Sequence, residues 1–168
     1  MAQKKKSMPA KTAKKKPQPL AVEHWKTEPD EHDYPAALDY LTLVQSLEAA
    51  EAAVERLKTA DLTHRKAKDL LRAGRLETLP PTNLHVVADL AKVKAGKSLS
   101  PVLLVRGVLE SDVPLTIADG YHRICASYWL DENADIPCRL IAPAPTRTAS
   151  SRRANSGKDA RAQPVISG

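Results

Sequence analysis

The run PVLLVRG, Pro101 to Gly107, sets four consecutive aliphatic residues between a proline and a glycine. It is too short for a helix and has no polar face, so it reads as a buried strand. Downstream, PLTIADG reads as a second strand, parted from the first by the turn-like VLESDV. A helix is expected over Tyr121 to Leu130, with Ile124, Cys125, Tyr128 and Trp129 on one face. IPCRLI then makes a last strand in which Ile136, Cys138 and Leu140 alternate.

Upstream the pattern is helical. PAALDYLTLVQSLEAAEAAVERLKTA, from Pro35, places Tyr40, Leu43, Val44, Leu47, Val54 and Leu57 at three- and four-residue spacings, which predicts one long amphipathic helix. A second helix is expected through LTHRKAKDLLRAG, capped by Asp61 or Thr63, with Leu70 and Leu71 inward and Gly74 as a left-handed stop. After Leu79-Pro80-Pro81, Thr82 or Asn83 caps a third helix carrying Val86, Val87, Leu90 and Val93, which ends at Gly96. Helices followed by strand, strand, helix and strand make the fold class α+β.

The chain has 168 residues, enough for one domain with a real core. Aromatics are 4% of the residues and Phe is absent, so that core packs from Leu, Val, Ile and Ala. The formal net charge of +6 lies at the ends. Residues 1–16 hold seven lysines and no acid, and residues 143–168 hold five basic groups against Asp159. Residues 17–142 are left at −5, with 14 Lys and Arg against 19 Asp and Glu. A basic tail on an acidic body suits either an electrostatic tether for DNA or a solubilising end. Cys125 and Cys138 stand in apolar segments without metal-ligand spacing and are expected as buried free thiols. No apolar run approaches the roughly 20 residues of a membrane span and no signal-peptide pattern opens the chain, so a cytoplasmic protein with no membrane partner is expected. The predicted organisation is a disordered basic arm over 1–33, a helical extension over 34–78, a compact domain over 79–142 and a disordered tail over 143–168.

The densest chemistry is in DGYHR, Asp119 to Arg123, where a strand ends and a helix begins. Backbone N–H groups are unpaired there and the helix dipole is positive, which favours an anion. Gly120 permits close approach, and His122 with Arg123 adds donors that can fork around a phosphate. Asp119 is in position to orient a donor, accept a hydroxyl proton or hold Mg²⁺. The plainer alternative is that Asp119 caps the helix, Tyr121 packs, and His122 and Arg123 stay solvated. His85 is expected on a helix surface, and His64 on a solvated basic face.

DGYHRICA followed by IPCRLI, with AGKSLSPVLLV upstream, resembles the ParB/sulfiredoxin superfamily over roughly Leu79 to Ile141. The turn is similar to the Asp-Gly-His-His-Arg of the free serine kinase branch, with Tyr121 for one histidine. The resemblance implies a small mixed sheet with helices, here preceded by a helical N-terminal extension. It also implies nucleotide phosphates on Gly120, Tyr121, His122 and Arg123, with the loop of Gly96, Lys97, Ser98 and Ser100 lining the same pocket. Sulfiredoxins carry a catalytic cysteine where Tyr121 stands, so sulfinic-acid reduction is not expected. ParB partition proteins continue into a DNA-reading helix-turn-helix, whereas this chain runs into a Pro/Arg tail.

Two functions follow as expectations. The first is a nucleotide hydrolase or phosphotransferase using ATP or CTP with Mg²⁺, in which Asp119 and His122 are catalytic, Arg123 neutralises phosphate and Lys97 assists. The second is a non-enzymatic, DNA-associated or plasmid-maintenance accessory whose basic tails supply affinity. A further carboxylate converging on the turn favours the enzyme, and Asp89, Glu110, Asp112 and Glu132 are the candidates.

Overall fold

A computed structural model describes residues 23–144. The elements are β1 (His24–Trp25), α1 (Asp33–Leu41), α2 (Leu47–Thr59), β2 (Leu62–Lys66), α3 (Ala67–Gly74), α4 (Leu84–Lys94), β3 (Ser98–Leu99), β4 (Val102–Val105), β5 (Thr116–Asp119), α5 (Tyr121–Leu130) and β6 (Asp135–Ile141). A single 3₁₀ turn, Leu109–Ser111, lies between β4 and β5. The fold is mixed α and β.

Four strands form one sheet in the order β2-β6-β4-β5, with β4 parallel to β6 and the other neighbours antiparallel. The aliphatic run of β4 sits next to the centre because both faces of the sheet are covered. On one face Val102 and Leu104 of β4 join Ile136 and Cys138 of β6 and pack with Leu70, Leu71, Val86, Ile124 and Cys125 from α3, α4 and α5. On the other face Leu103 and Ile141 pack with Leu41, Val54 and Leu57 from α1 and α2. A separate pair of two-residue strands, β1 and β3, runs parallel at one side of the molecule.

Four sequence expectations are corrected. The long helix from Pro35 is two helices, because Ser46 takes an extended backbone and its hydroxyl accepts from the Ala49 N–H at 3.3 Å, capping a new start. Leu43, Val44 and Leu47 fall at this junction and are exposed, while Ala37, Ala50 and Ala53 are buried in their place. The predicted second helix begins later: Leu62–Lys66 is a strand paired with β6 over five residues, and the helix follows from Ala67. Its left-handed stop is Arg75, at φ 54°, while Gly74 is the last helical residue.

The boundary expected between residues 78 and 79 has no counterpart, since β2 belongs to the same sheet as β4, β5 and β6. The arm expected over 1–33 is ordered from β1 onward: the Lys26 N–H donates to the Leu99 carbonyl at 2.8 Å, and the Asp30 N–H donates to the Ser100 hydroxyl at 2.9 Å. The remainder of that arm, residues 1–22, and the tail from residue 145 lie outside the described residues, and with them the proposed DNA tether. Among the described residues no helix is long and apolar enough to cross a membrane.

Candidate functional site

Strand β5 delivers Asp119 to the edge of the sheet, and Gly120 then turns the chain into α5 with φ 101°. A Cβ at Gly120 would lie 2.5 Å from Val102 Cγ1, so both backbone conformation and space demand glycine here. The Asp119 carboxylate does not cap the helix. It accepts a hydrogen bond from the Arg123 guanidinium one helical turn on, in a tight ion pair.

Arg123 is not a solvated donor either. Its side chain is 11% exposed, and its second partner is Asp33, at 3.3 Å. Asp33 comes from the first turn of α1, is 3% exposed, and was not anticipated from the sequence. Its Oδ2 accepts from the Asp30 N–H at 2.9 Å and from the Ser100 hydroxyl, so the loop after α4 is tied to the start of α1 through one carboxylate. Both carboxylates are thereby fixed around one guanidinium.

The two carboxyls are driven apart. Burial works to raise Asp33, but the Ser100 hydroxyl and the Arg123 charge outweigh it and hold the group below the usual carboxylate range. Burial raises Asp119 despite the Arg123 charge, and the negative charge of Asp33 adds to the rise. Asp33 is the fixed anion of the pair and Asp119 is the readier proton acceptor.

Helix α4 passes over the start of α5 and supplies His85, Asp89 and Lys92 at spacings of four and three residues, with Asp89 buried beside Val86 and Val93. His85 stands against His122 with ring centroids 4.6 Å apart, and Asp89 pairs with Lys92 at 2.8 Å. Burial depresses the His122 imidazole and the neighbouring His85 adds to that shift, so His122 is neutral near pH 7.

Three clefts meet at the turn. The first, about 250 Å³, is lined by His32, Asp33, His85, Asp89, Asp119 and His122, with Lys92 and Arg123 at its side. The second, about 280 Å³, shares His32, Lys92 and Arg123 and adds Lys26, Asp30, Lys97, Ser98 and Ser100, with Lys26 paired to Asp30 at 2.7 Å. The third, about 400 Å³, lies against Asp119, Gly120, Tyr121 and His122 and is otherwise apolar. Of the residues singled out in the sequence, Asp119, Gly120, His122 and Arg123 share the first cleft, while Lys97, Ser98 and Ser100 share the second with Arg123. Gly96, at φ 69°, turns α4 into that loop and lines none of the three clefts. Tyr121 lies on the third cleft, and its hydroxyl donates to the Glu77 carbonyl.

Of the four carboxylates weighed from sequence, only Asp89 reaches the site. Asp112 pairs with Arg75 on the far loop, Glu110 is exposed in the same loop, and Glu132 is exposed after α5. His64 is exposed on β2 and takes no part. The α4 stripe was legible in principle as His85, Asp89 and Lys92 on one helical face. Asp33 carried no such signal, because its partners are 67 and 90 residues away.

Among the described residues no group of three His, Cys, Asp or Glu side chains could hold a metal ion by itself. Comparisons with protein-family models, with curated proteins and with solved structures return no match.

Proposed function

We propose that the chain is a nucleotide-dependent phosphotransferase or hydrolase of ParB/sulfiredoxin-like kind, with the terminal phosphate lying beside Arg123. The observation that carries this reading is the position of Arg123 between a lysine-lined cleft and a cleft lined by carboxylates and imidazoles. Lys97 and Arg123, with Lys26 and Lys92 held by Asp30 and Asp89, supply the second cleft's donors for a di- or triphosphate. Asp119, with its raised carboxyl and open side, is suited to take a proton from the attacking hydroxyl or water, and Asp33 keeps the guanidinium in place.

Neutral His122 donates or accepts a hydrogen bond at the same spot. Mg²⁺, when bound with the nucleotide, would neutralise phosphate charge. A further carboxylate converging on the turn favours an enzyme over an accessory binding module, and Asp33 and Asp89 line the same cleft as Asp119.

Isothermal titration of the full chain with ATP and CTP, with and without Mg²⁺, tests the reading. Binding should be saturable, and Lys97→Ala together with Lys92→Ala should weaken it roughly ten- to a hundredfold, about 1.5–3 kcal/mol for a lost charge-assisted contact. No binding by any nucleotide, or unchanged affinity in the double variant, removes the proposal.

A further inference from the structure

The third cleft carries a different chemistry from the other two. It is bounded by Tyr40, Leu76, Ile117 and Tyr121, and among the described residues its only charged side chain is Asp119. Tyr40 is 43% and Leu76 is 40% exposed, so two large apolar side chains stand open next to the reactive turn. Asp119 and His122 line both this cleft and the one holding Arg123; Lys92 lines that first cleft and the second, Lys26 and Lys97 line the second, and no lysine among the described residues lines the third. The lysine-bearing second cleft thus meets the first at Lys92 and Arg123, and the first meets the apolar cleft at Asp119 and His122. A phosphate chain seated on the lysines therefore ends at Asp119, and what meets it comes from the apolar side.

We infer that the phosphoryl acceptor is an uncharged hydroxyl compound with an aromatic or branched aliphatic body, held in the cleft of Tyr40, Leu76, Ile117 and Tyr121. The inference rests on the phosphotransferase reading above. An anionic acceptor is disfavoured, because Asp119 faces the cleft while its partner Arg123 does not line it, and no other cation among the described residues does. A small, fully polar acceptor would leave the apolar walls wet. In the transfer, the acceptor hydroxyl gives its proton to the Asp119 carboxylate, and its oxygen forms a bond to the terminal phosphorus of a nucleoside triphosphate. The bond from that phosphorus to the bridging oxygen breaks, and its electron pair leaves with the nucleoside diphosphate. Nothing is oxidised or reduced.

The test is an NMR titration of the ¹⁵N-labelled full chain with 2-phenylethanol and, separately, with glycerol, each with and without saturating Mg-ATP. Phenylethanol is expected to shift the amides of Ala36 to Tyr40 and Asp119 to His122, at least tenfold more tightly than glycerol, and to remain bound with the nucleotide present. Tyr40→Ser with Leu76→Ser should weaken phenylethanol fivefold or more and leave Mg-ATP affinity within twofold. Nucleotide binding without phenylethanol binding, or with glycerol as tight, overturns the acceptor assignment alone. Displacement of phenylethanol by nucleotide overturns it too, and gives the cleft to the nucleoside. Absence of nucleotide binding overturns the underlying reading whatever phenylethanol does.

Discussion

Arg123 shows how far a single residue can be read from sequence. Its place at a strand-to-helix turn was legible, because a glycine between an apolar strand and an amphipathic helix leaves few other conformations. Its state was not, because the carboxylate that completes its cage lies 90 residues earlier. The consequence is quantitative. A solvated arginine could be truncated at little cost, but Arg123→Met leaves Asp33 and Asp119 together without their counter-charge. The expected loss is about 3–5 kcal/mol, a large part of a domain's typical stability. Urea denaturation of the variant measures it, and Asp33→Asn with Asp119→Asn in the same chain should restore a substantial part. Gly120→Ala should fail for another reason: the left-handed backbone and the 2.5 Å approach to Val102 each add about 1–3 kcal/mol. A melting temperature within a degree of wild type would show that the turn is not tightly packed.

At the scale of elements, three strands were legible and β1, β2 and β3 were not, β2 being read as the start of a helix. The β4, β5 and β6 segments announced themselves through short apolar runs between breakers, and each is a strand. The stretch Pro35 to Ala60 satisfied a helical period throughout, and only the cap at Ser46 divides it. Local spacing cannot register that Leu43 and Val44 face solvent, since that depends on where the sheet lies. Removal of the cap should therefore cost what caps cost: Ser46→Ala is expected to lose about 1 kcal/mol, read from the denaturation midpoint, with no change at the ligand clefts.

The segment leading into α1 has greater consequence. It supplies Lys26 to one cleft and Asp33 to another, and Glu28 pairs with Arg139 of β6. Arg139 also donates to the Leu57 carbonyl at the end of α2 and to the Tyr34 hydroxyl at 3.0 Å, so one buried guanidinium fastens this segment to the sheet. A chain beginning at Tyr34 should lose both nucleotide binding and several degrees of melting temperature. Full retention of binding by that chain would mean the segment is ornamental.

For the whole molecule, the site's charge should appear in the pH dependence of folding. His122 is depressed by burial and by His85 and Arg123, with Asp89 pulling the other way. A group whose protonated form is disfavoured in the fold takes up its proton more readily in the unfolded chain. Stability is then unaffected well above the ordinary histidine value of about 6.5 and declines as the pH falls from there toward the depressed value in the fold. Asp119, raised in the fold, works with the opposite sign at lower pH, and Asp33, lowered in the fold, loses its contribution only as the pH falls through the carboxylate range. The His122 part can be isolated by comparing wild type with His122→Asn in urea at pH 7.5 and pH 5.5. The variant should lose less of its denaturation midpoint on acidification, because the proton that only the unfolded chain accepts at that position is gone. Equal losses in the two proteins would move the source of the acid sensitivity away from the His85 and His122 pair, and would remove the reason for treating the imidazole as neutral when a phosphate approaches.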